Sequence, residues 1–326
     1  MNNYLTSDLN KSYKNITFVT MLFNLVDSKE SKYHFSSKGE DRHLEKDYIG
    51  YYVKSLEKIC DKFKDIIVFC DKECADNLKA PNARVIVMKL EELPLYSEIE
   101  QIRKLFKLTA ERMKFSQNVH VNKKATEEQY WDRALYSIVV LSKQHILTRA
   151  AKLNGVDTEY LCWIDAGLLT DDHQKFWDGW NGKIEKVPQD GRVRFVCSSN
   201  KDLISTVKDI QRTRLEDAVY CRRPISFSIR YFLSLIGREI GPVPQILGGV
   251  EFIQKSACED FEKKYNKYLK RIMSTGLICY EQGILTLMFS EHPEWFEVVL
   301  GNNREMDMIF NSNSTWTSKN ASRDKV

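Results

Sequence analysis

Tyr160-Leu161-Cys162-Trp163-Ile164-Asp165-Ala166-Gly167 is the stretch that decides the fold. A mostly apolar run, rich in aromatic and branched residues, ends abruptly in an acid followed by Ala and Gly. Such a run fits a central strand buried on both faces. The acid then stands at the strand's carboxyl end, where open α/β sheets place their ligands. A carboxylate there can hold a divalent ion and, through it, the phosphates of a nucleotide. An aspartate that caps a turn, helped by Gly167, fits the same eight residues equally well.

The segments upstream favour an α/β sheet. Residues 16–25 read as a first strand, 65–71 as a second that again ends in an acid, and 84–90 as a third. Between the first two, residues 48–63 repeat their apolar positions at helical spacing, and 75–78 suit a short helix. Strand, helix, strand, short helix, strand is the order of a parallel sheet. Residues 93–121 read as a helical excursion covering the sheet or lining the cleft. Residues 127–153 hold a 3.6 period and stop at Asn154-Gly155, so a helix feeds directly into the strand around Trp163.

Downstream, 168–186 is a polar and aromatic region with Asp171, Asp172, His173, Trp177, Asp178 and Trp180. Residues 192–197 suit a strand and 203–215 a helix, while 224–236 fit either a helix or an irregular segment. Gly248-Gly249 interrupts a strand-like run over 245–253, the mark of a bulge or a close backbone approach. Helices are expected over 257–273 and from about 279 to 289, a last strand over 296–300, and a frayed tail from 302.

Composition bounds the function. The 326 residues suffice for a large core, with 43% hydrophobic and 29% charged residues, as in a soluble globular protein. A net charge of +4 is too slight to mark a nucleic-acid binder, though it suits an anionic ligand or loose attachment to an acidic membrane face. Of eight cysteines only Cys70 and Cys74 are close, with no matching second pair, so a zinc site is not expected. The N-terminus lacks the order of a signal peptide, and no apolar run approaches the ~20 residues that span a bilayer. A cytoplasmic protein is expected.

The glycine-rich phosphate loops of dinucleotide enzymes and P-loop ATPases are absent, as is a Gly-x-Ser-x-Gly elbow. A bound nucleotide would need a metal held by one or two carboxylates, and magnesium or manganese prefers oxygen ligands. A sugar-phosphate nucleotidyltransferase, which also uses an α/β sheet and a metal, would call for a glycine-rich loop after the first strand, which residues 24–28 do not provide. Non-catalytic binding of a glycan or a partner protein is also open.

The chain resembles the HtrL/YibB (WlaTC-like) family of bacterial glycosyltransferases. The resemblance lies in Phe18-Val19-Thr20-Met21-Leu22-Phe23, Leu141-Ser142-Lys143 followed by Tyr160 to Gly167, Gly248-Gly249-Val250-Glu251-Phe252, and Glu281-Gln282-Gly283-Ile284-Leu285. These landmarks run in order over residues 16–300. The resemblance implies a GT-A-like α/β fold, a central mostly parallel twisted sheet flanked by helices. A single domain over 1–310 is expected, with a nucleotide-sugar half (15–170), an acceptor half (171–310) and a flexible tail (311–326). It implies transfer of a sugar from a nucleotide donor, expected to be a UDP-sugar, to a hydroxyl of a surface glycan such as lipopolysaccharide, lipooligosaccharide or capsule. The enzyme would work in the cytoplasm or at the inner membrane face, without nucleic acid.

Within that reading, roles can be argued for particular residues. Asp165 would be catalytic and bind Mn2+ or Mg2+, with His292 as a further ligand. Asp165-Ala166-Gly167 departs from the Asp-x-Asp motif of such enzymes by offering one carboxylate. Thr20, Phe23 and Asn24 would hold the base, Asp71 the ribose or base, and Lys143 the diphosphate. Ala166, Gly167 and Gln282 would join the nucleotide-sugar site, and Gly248 and Gly249 would let the backbone approach the sugar. Glu281 would be the base for the acceptor hydroxyl or would position the donor sugar. Each also has a plainer structural reading: Phe23 as core, Asp71 as a turn residue, Lys143 and Glu281 as solvated helix positions, His292 as a helix terminus.

Overall fold

The computed structural model describes residues 15–25, 48–105, 127–169, 183–188, 191–198, 246–274, 276, 278, 280–301 and 307–312. The expected helix over 203–215, the segment 224–236, and the acids, His173 and tryptophans of 171–180 lie outside them.

Seven strands form one sheet. In chain order they are β1 (Ile16–Leu22), β2 (Ile66–Cys70), β3 (Ala83–Val87), β4 (Tyr160–Ile164), β5 (Val193–Ser198), β6 (Ile246–Gln254) and β7 (Phe296–Gly301). They lie side by side as β3-β2-β1-β4-β6-β5-β7. The pairs β1–β2, β1–β4, β2–β3 and β5–β7 are parallel, and β6 alone runs antiparallel to its neighbours β4 and β5. The expectation of a continuous, mostly parallel α/β sheet flanked by helices is met. β1 and β2 are buried along their whole length, because helices cover both faces.

The helices are α1 (Tyr48–Lys62), α2 (Lys72–Asn77), α3 (Glu127–Leu141), α4 (Lys143–Ala151), α5 (Cys258–Met273), α6 (Glu281–Glu291) and α7 (Met308–Asn311), besides a short helical run at 99–105. α1, α2 and α7 pack on one face, around Phe18, Val68, Cys162 and Phe252. α3 to α6 pack on the other, around Val19, Phe69, Trp163 and Phe195. No helix among the described residues is long and apolar enough to cross a membrane.

The single helix expected over 127–153 is two. The break falls at Ser142, whose hydroxyl donates to the Ile138 carbonyl at 2.6 Å, while its backbone leaves helical geometry at φ −91°, ψ 3°. Serine bonding back into the preceding turn bends helices. Both pieces keep an apolar face to the core, so periodicity alone does not show the break. It makes Lys143 the first residue of a new helix.

β6 carries the expected irregularity. Phe195 pairs with Glu251 and the next residue, Val196, with Leu247, so Gly248, Gly249 and Val250 have no partner in the β5 register. The extra residues bow β6 away from β5, and this bow forms the floor of the site.

Candidate active site

The parallel strands β1, β2 and β4 deliver Phe23, Asn24, Asp71 and Asp165 to the same end of the sheet. Asp165 remains tied to β6, its backbone N–H donating to the Gly249 carbonyl at 2.9 Å. Its Oδ1 accepts from the Trp163 indole N–H at 2.7 Å and lies 2.7 Å from the Lys143 ammonium. Two donors thus hold Oδ1. Among the described residues nothing engages Oδ2, and the side chain is 38% exposed.

Lys143 is the hub. Its ammonium donates to Glu281 Oε1 at 2.8 Å and to the Gly248 carbonyl at 2.9 Å, besides meeting Asp165. An ammonium has three N–H donors, so all are spent. The side chain is 5% exposed. Burial opposes its charge, but Asp165 and Glu281 together hold it protonated well above the usual lysine range. The expected contact between Lys143 and a diphosphate is therefore replaced by a bridge between two carboxylates.

Glu281 opens α6, where a carboxylate suits the helix dipole. Burial pushes its carboxyl up, Lys143 opposes this, and Asp165 adds to it. The side chain lies over Gly248. A Cβ on Gly248 would fall 2.5 Å from Glu281 Oε1 and 3.2 Å from Gln282 Cγ. The close approach that requires glycine is thus to the protein's own Glu281 and Gln282, in place of the expected sugar.

Gly167 has a similar cause. A Cβ there would fall 2.8 Å from Tyr52 Cε1, so the ring fills the place a side chain at 167 would take. Burial, with Tyr51 and Asp165 beside it, pushes the Tyr52 hydroxyl up to about 12. Tyr136, 41% exposed on α3, meets the Tyr280 ring edge-on at 5.4 Å, next to Glu281. Ala166 is buried at the turn after Asp165.

Several expected site residues are used otherwise. Phe23 is 1% exposed and belongs to the core, so its ring is closed to a base. Thr20 is fully buried within β1, and its Oγ1 has no partner among the described residues, so a ligand at the strand end does not touch it. Asp71 caps α2, with Oδ1 accepting from the Cys74 N–H at 2.8 Å. Its Oδ2 accepts from the Asn24 backbone N–H. Both oxygens are thereby spent on the chain, and Asn24 Nδ2 donates to Glu73 Oε2 at 2.7 Å.

His292 is at the wrong end of α6 to join Asp165. Eleven residues from Glu281 span about 16 Å at 1.5 Å per residue. There the imidazole stacks on Trp295 at 3.8 Å and bonds Glu294 at 2.9 Å.

Sequence reasoning gave no role to Glu251, yet it lies just beneath. It is 2% exposed, opposite Trp163 on β4 and Phe195 on β5. Its Oε2 accepts from the Gln144 side-chain N–H at 2.6 Å. The signal was an acid inside the otherwise apolar run Ile246 to Ile253. Tyr52, Trp163 and Gln144 left no comparable mark.

No group of three or more His, Cys, Asp or Glu among the described residues is placed to hold a metal ion. The described residues do fit an ion held by a single protein oxygen, Asp165 Oδ2, with phosphate oxygens completing its shell. Two carboxylates against one ammonium leave this cluster at a net −1, which favours a cation and disfavours an unaccompanied diphosphate. A separate cavity of about 530 Å3, with Thr148, Lys152, Glu159 and Lys255 in its wall, lies at the opposite end of β4 and shares none of these groups.

No curated protein matches the chain. Among solved structures, it is similar to mouse xyloside xylosyltransferase 1 in its apo form, at 9% sequence identity and a TM-score of 0.35, over 87% of this chain and 84% of that one. The family model described as "Bacterial protein of unknown function (HtrL_YibB)" matches residues 15–221. That match takes in β1 through β5, including Lys143 and Asp165, and the chain belongs to the HtrL_YibB family.

Proposed function

We propose that the chain is a glycosyltransferase that moves a sugar from a nucleotide donor, a UDP-sugar in the first instance, to a hydroxyl of a surface glycan. One observation carries the reading: Asp165, at the carboxyl end of β4, presents an oxygen unengaged among the described residues beside a buried glutamate, with a lysine fixed between them. Asp165 Oδ2 would hold Mn2+ or Mg2+, which when bound supplies positive charge to the leaving diphosphate.

The chain's own residues do the rest. Lys143 fixes both carboxylates. Glu281, whose affinity for a proton is raised by burial, takes the proton of the acceptor hydroxyl as the bond from the sugar carbon to the diphosphate breaks and the new glycosidic bond forms. Tyr136 and Tyr52 wall the opening. The sheet gives the nucleotide and acceptor parts, 15–170 and 171–310, a shared floor in this reading.

The test is a thermal-shift screen of UDP-, GDP- and CMP-sugars with Mn2+, followed by a chromatographic assay of nucleotide release. A ligand that binds only the folded state raises the melting temperature. Asp165→Asn should lower turnover at least 100-fold with an unchanged circular dichroism spectrum. Near-normal turnover would remove Asp165 from the mechanism. No shift with any nucleotide sugar would favour a non-catalytic binding module.

A further inference from the structure

Glu251 is a buried acid that the proposed transfer does not use. It stands in the middle of β6, one residue beyond the bowed Gly248-Gly249-Val250, and faces the helical layer shared by Trp163 and Phe195. One oxygen is held by Gln144. The other, Oε1, is fully buried, and among the described residues it has no hydrogen-bond partner and no cation forms an ion pair with it. An ionised carboxylate in that position would be an uncompensated buried charge, which proteins avoid by keeping the proton.

Gln144 is the residue after Lys143, and both lie in the first turn of α4. The Gln144–Glu251 bond fixes that turn to β6 at one point, and the Lys143–Gly248 bond fixes it at another. Trp163, which bonds Asp165, lies between them, directly opposite Glu251 and with its ring centre 5.6 Å from the Lys143 ammonium. We propose that Glu251 is a positioning residue, held as a neutral carboxylic acid, that pins the first turn of α4 so that Lys143 reaches Asp165 and Glu281.

The groups that face Glu251 agree. Burial pushes its carboxyl up to about 8; Gln144 and Lys143 on α4 oppose this, while Glu281 on α6 and Asp165 after β4 add to it. The thiols of Cys162 on β4 and Cys258 on α5 are themselves buried and neutral. Losing the Glu251 proton would add a third negative charge beneath Asp165 and Glu281, where an anionic donor must bind. The effect on donor affinity rests on the nucleotide-site reading; the protonation state does not.

The experiment therefore has two arms, on the full chain and on Glu251→Gln. Infrared spectroscopy at pH 7 should show a protonated-carboxyl band that is absent from Glu251→Gln; a band unchanged by the substitution overturns the proposal. Calorimetric titration with UDP and MnCl2 should show affinity falling about tenfold from pH 7 to pH 9 in the native chain, as one added charge near the ligand would cause. That fall should be missing in Glu251→Gln. The same decline in both proteins overturns the positioning role. Absence of UDP binding by either protein sinks the nucleotide reading, and the infrared arm then decides Glu251 by itself.

Discussion

Replacing Lys143 with methionine keeps an unbranched side chain one atom shorter and removes its charge, leaving Glu281 and Asp165 facing each other without the cation between them. Lys143 is 5% exposed and Glu281 8%, so water replaces little of the lost interaction. At an effective dielectric of about 20, a contact near 2.8 Å amounts to roughly 6 kcal/mol of attraction before desolvation. Removing one partner of a buried pair costs about 3–5 kcal/mol net. Asp165 adds less, because at 38% exposure solvent screens it. The expected loss for Lys143→Met is therefore about 3–5 kcal/mol at pH 8.

The loss should depend on pH in one direction. Burial already raises the Glu281 carboxyl above its unfolded value of 4.5, and Lys143 is the main opposing influence. Without the lysine, Glu281 binds its proton more tightly in the folded chain than in the unfolded one. A group raised in this way stabilises the fold below its unfolded value, and the contribution is lost as pH rises through the folded value. Lys143→Met should consequently be much closer to the native chain at pH 5 than at pH 8. Urea unfolding of both proteins at each pH measures this, and Lys143→Met/Glu281→Gln should recover part of the loss at pH 8. A loss under about 1 kcal/mol at pH 8, or one as large at pH 5, would refute the bridge.

Two further substitutions test the site's walls. Gly248→Ala places a methyl group 2.5 Å from Glu281 Oε1, so that carboxylate must move from its place on Lys143; about 1–3 kcal/mol of stability and most turnover should go, measured by urea unfolding and nucleotide release. His292→Ala should leave the Mn2+-dependent thermal shift with the best nucleotide sugar within about 1 °C of the native value, since His292 lies about 16 Å along α6 from Glu281. A lost shift would return His292 to the site.

The strands were legible because each buried one is a short β-branched or aromatic run bounded by polar residues, as in Ile16–Leu22 and Ile66–Cys70. The bow at Gly248-Gly249 was legible too, since two glycines inside such a run have few other causes. What the glycines faced was not legible, because Glu281 reaches Gly248 only through the placement of α6. Asp71 shows the same limit from the other side. A carboxylate after a strand serves equally as a cap or as a ligand, and the choice was made by Asn24, which arrives at the end of β1 and takes the second oxygen.

Lys143 shows most clearly how burial rewrites a reading. By residue type it reads as a surface lysine, free to reach a phosphate, although it stands four residues after Val139 and three before Ile146, on the apolar side of the helical pattern. In the fold it is buried, and its three donors go to Asp165, Glu281 and Gly248, each from a different part of the chain. The lone carboxylate of Asp165-Ala166-Gly167 is alone only along the sequence. In space its counterpart is Glu281, with an ammonium between them and Tyr52 where a side chain at 167 would stand. A second acid two residues after Asp165 would collide with that ring, so the site's second carboxylate comes from α6. With Lys143 and the Trp163 indole holding Oδ1, Oδ2 of Asp165 is left without a partner among the described residues.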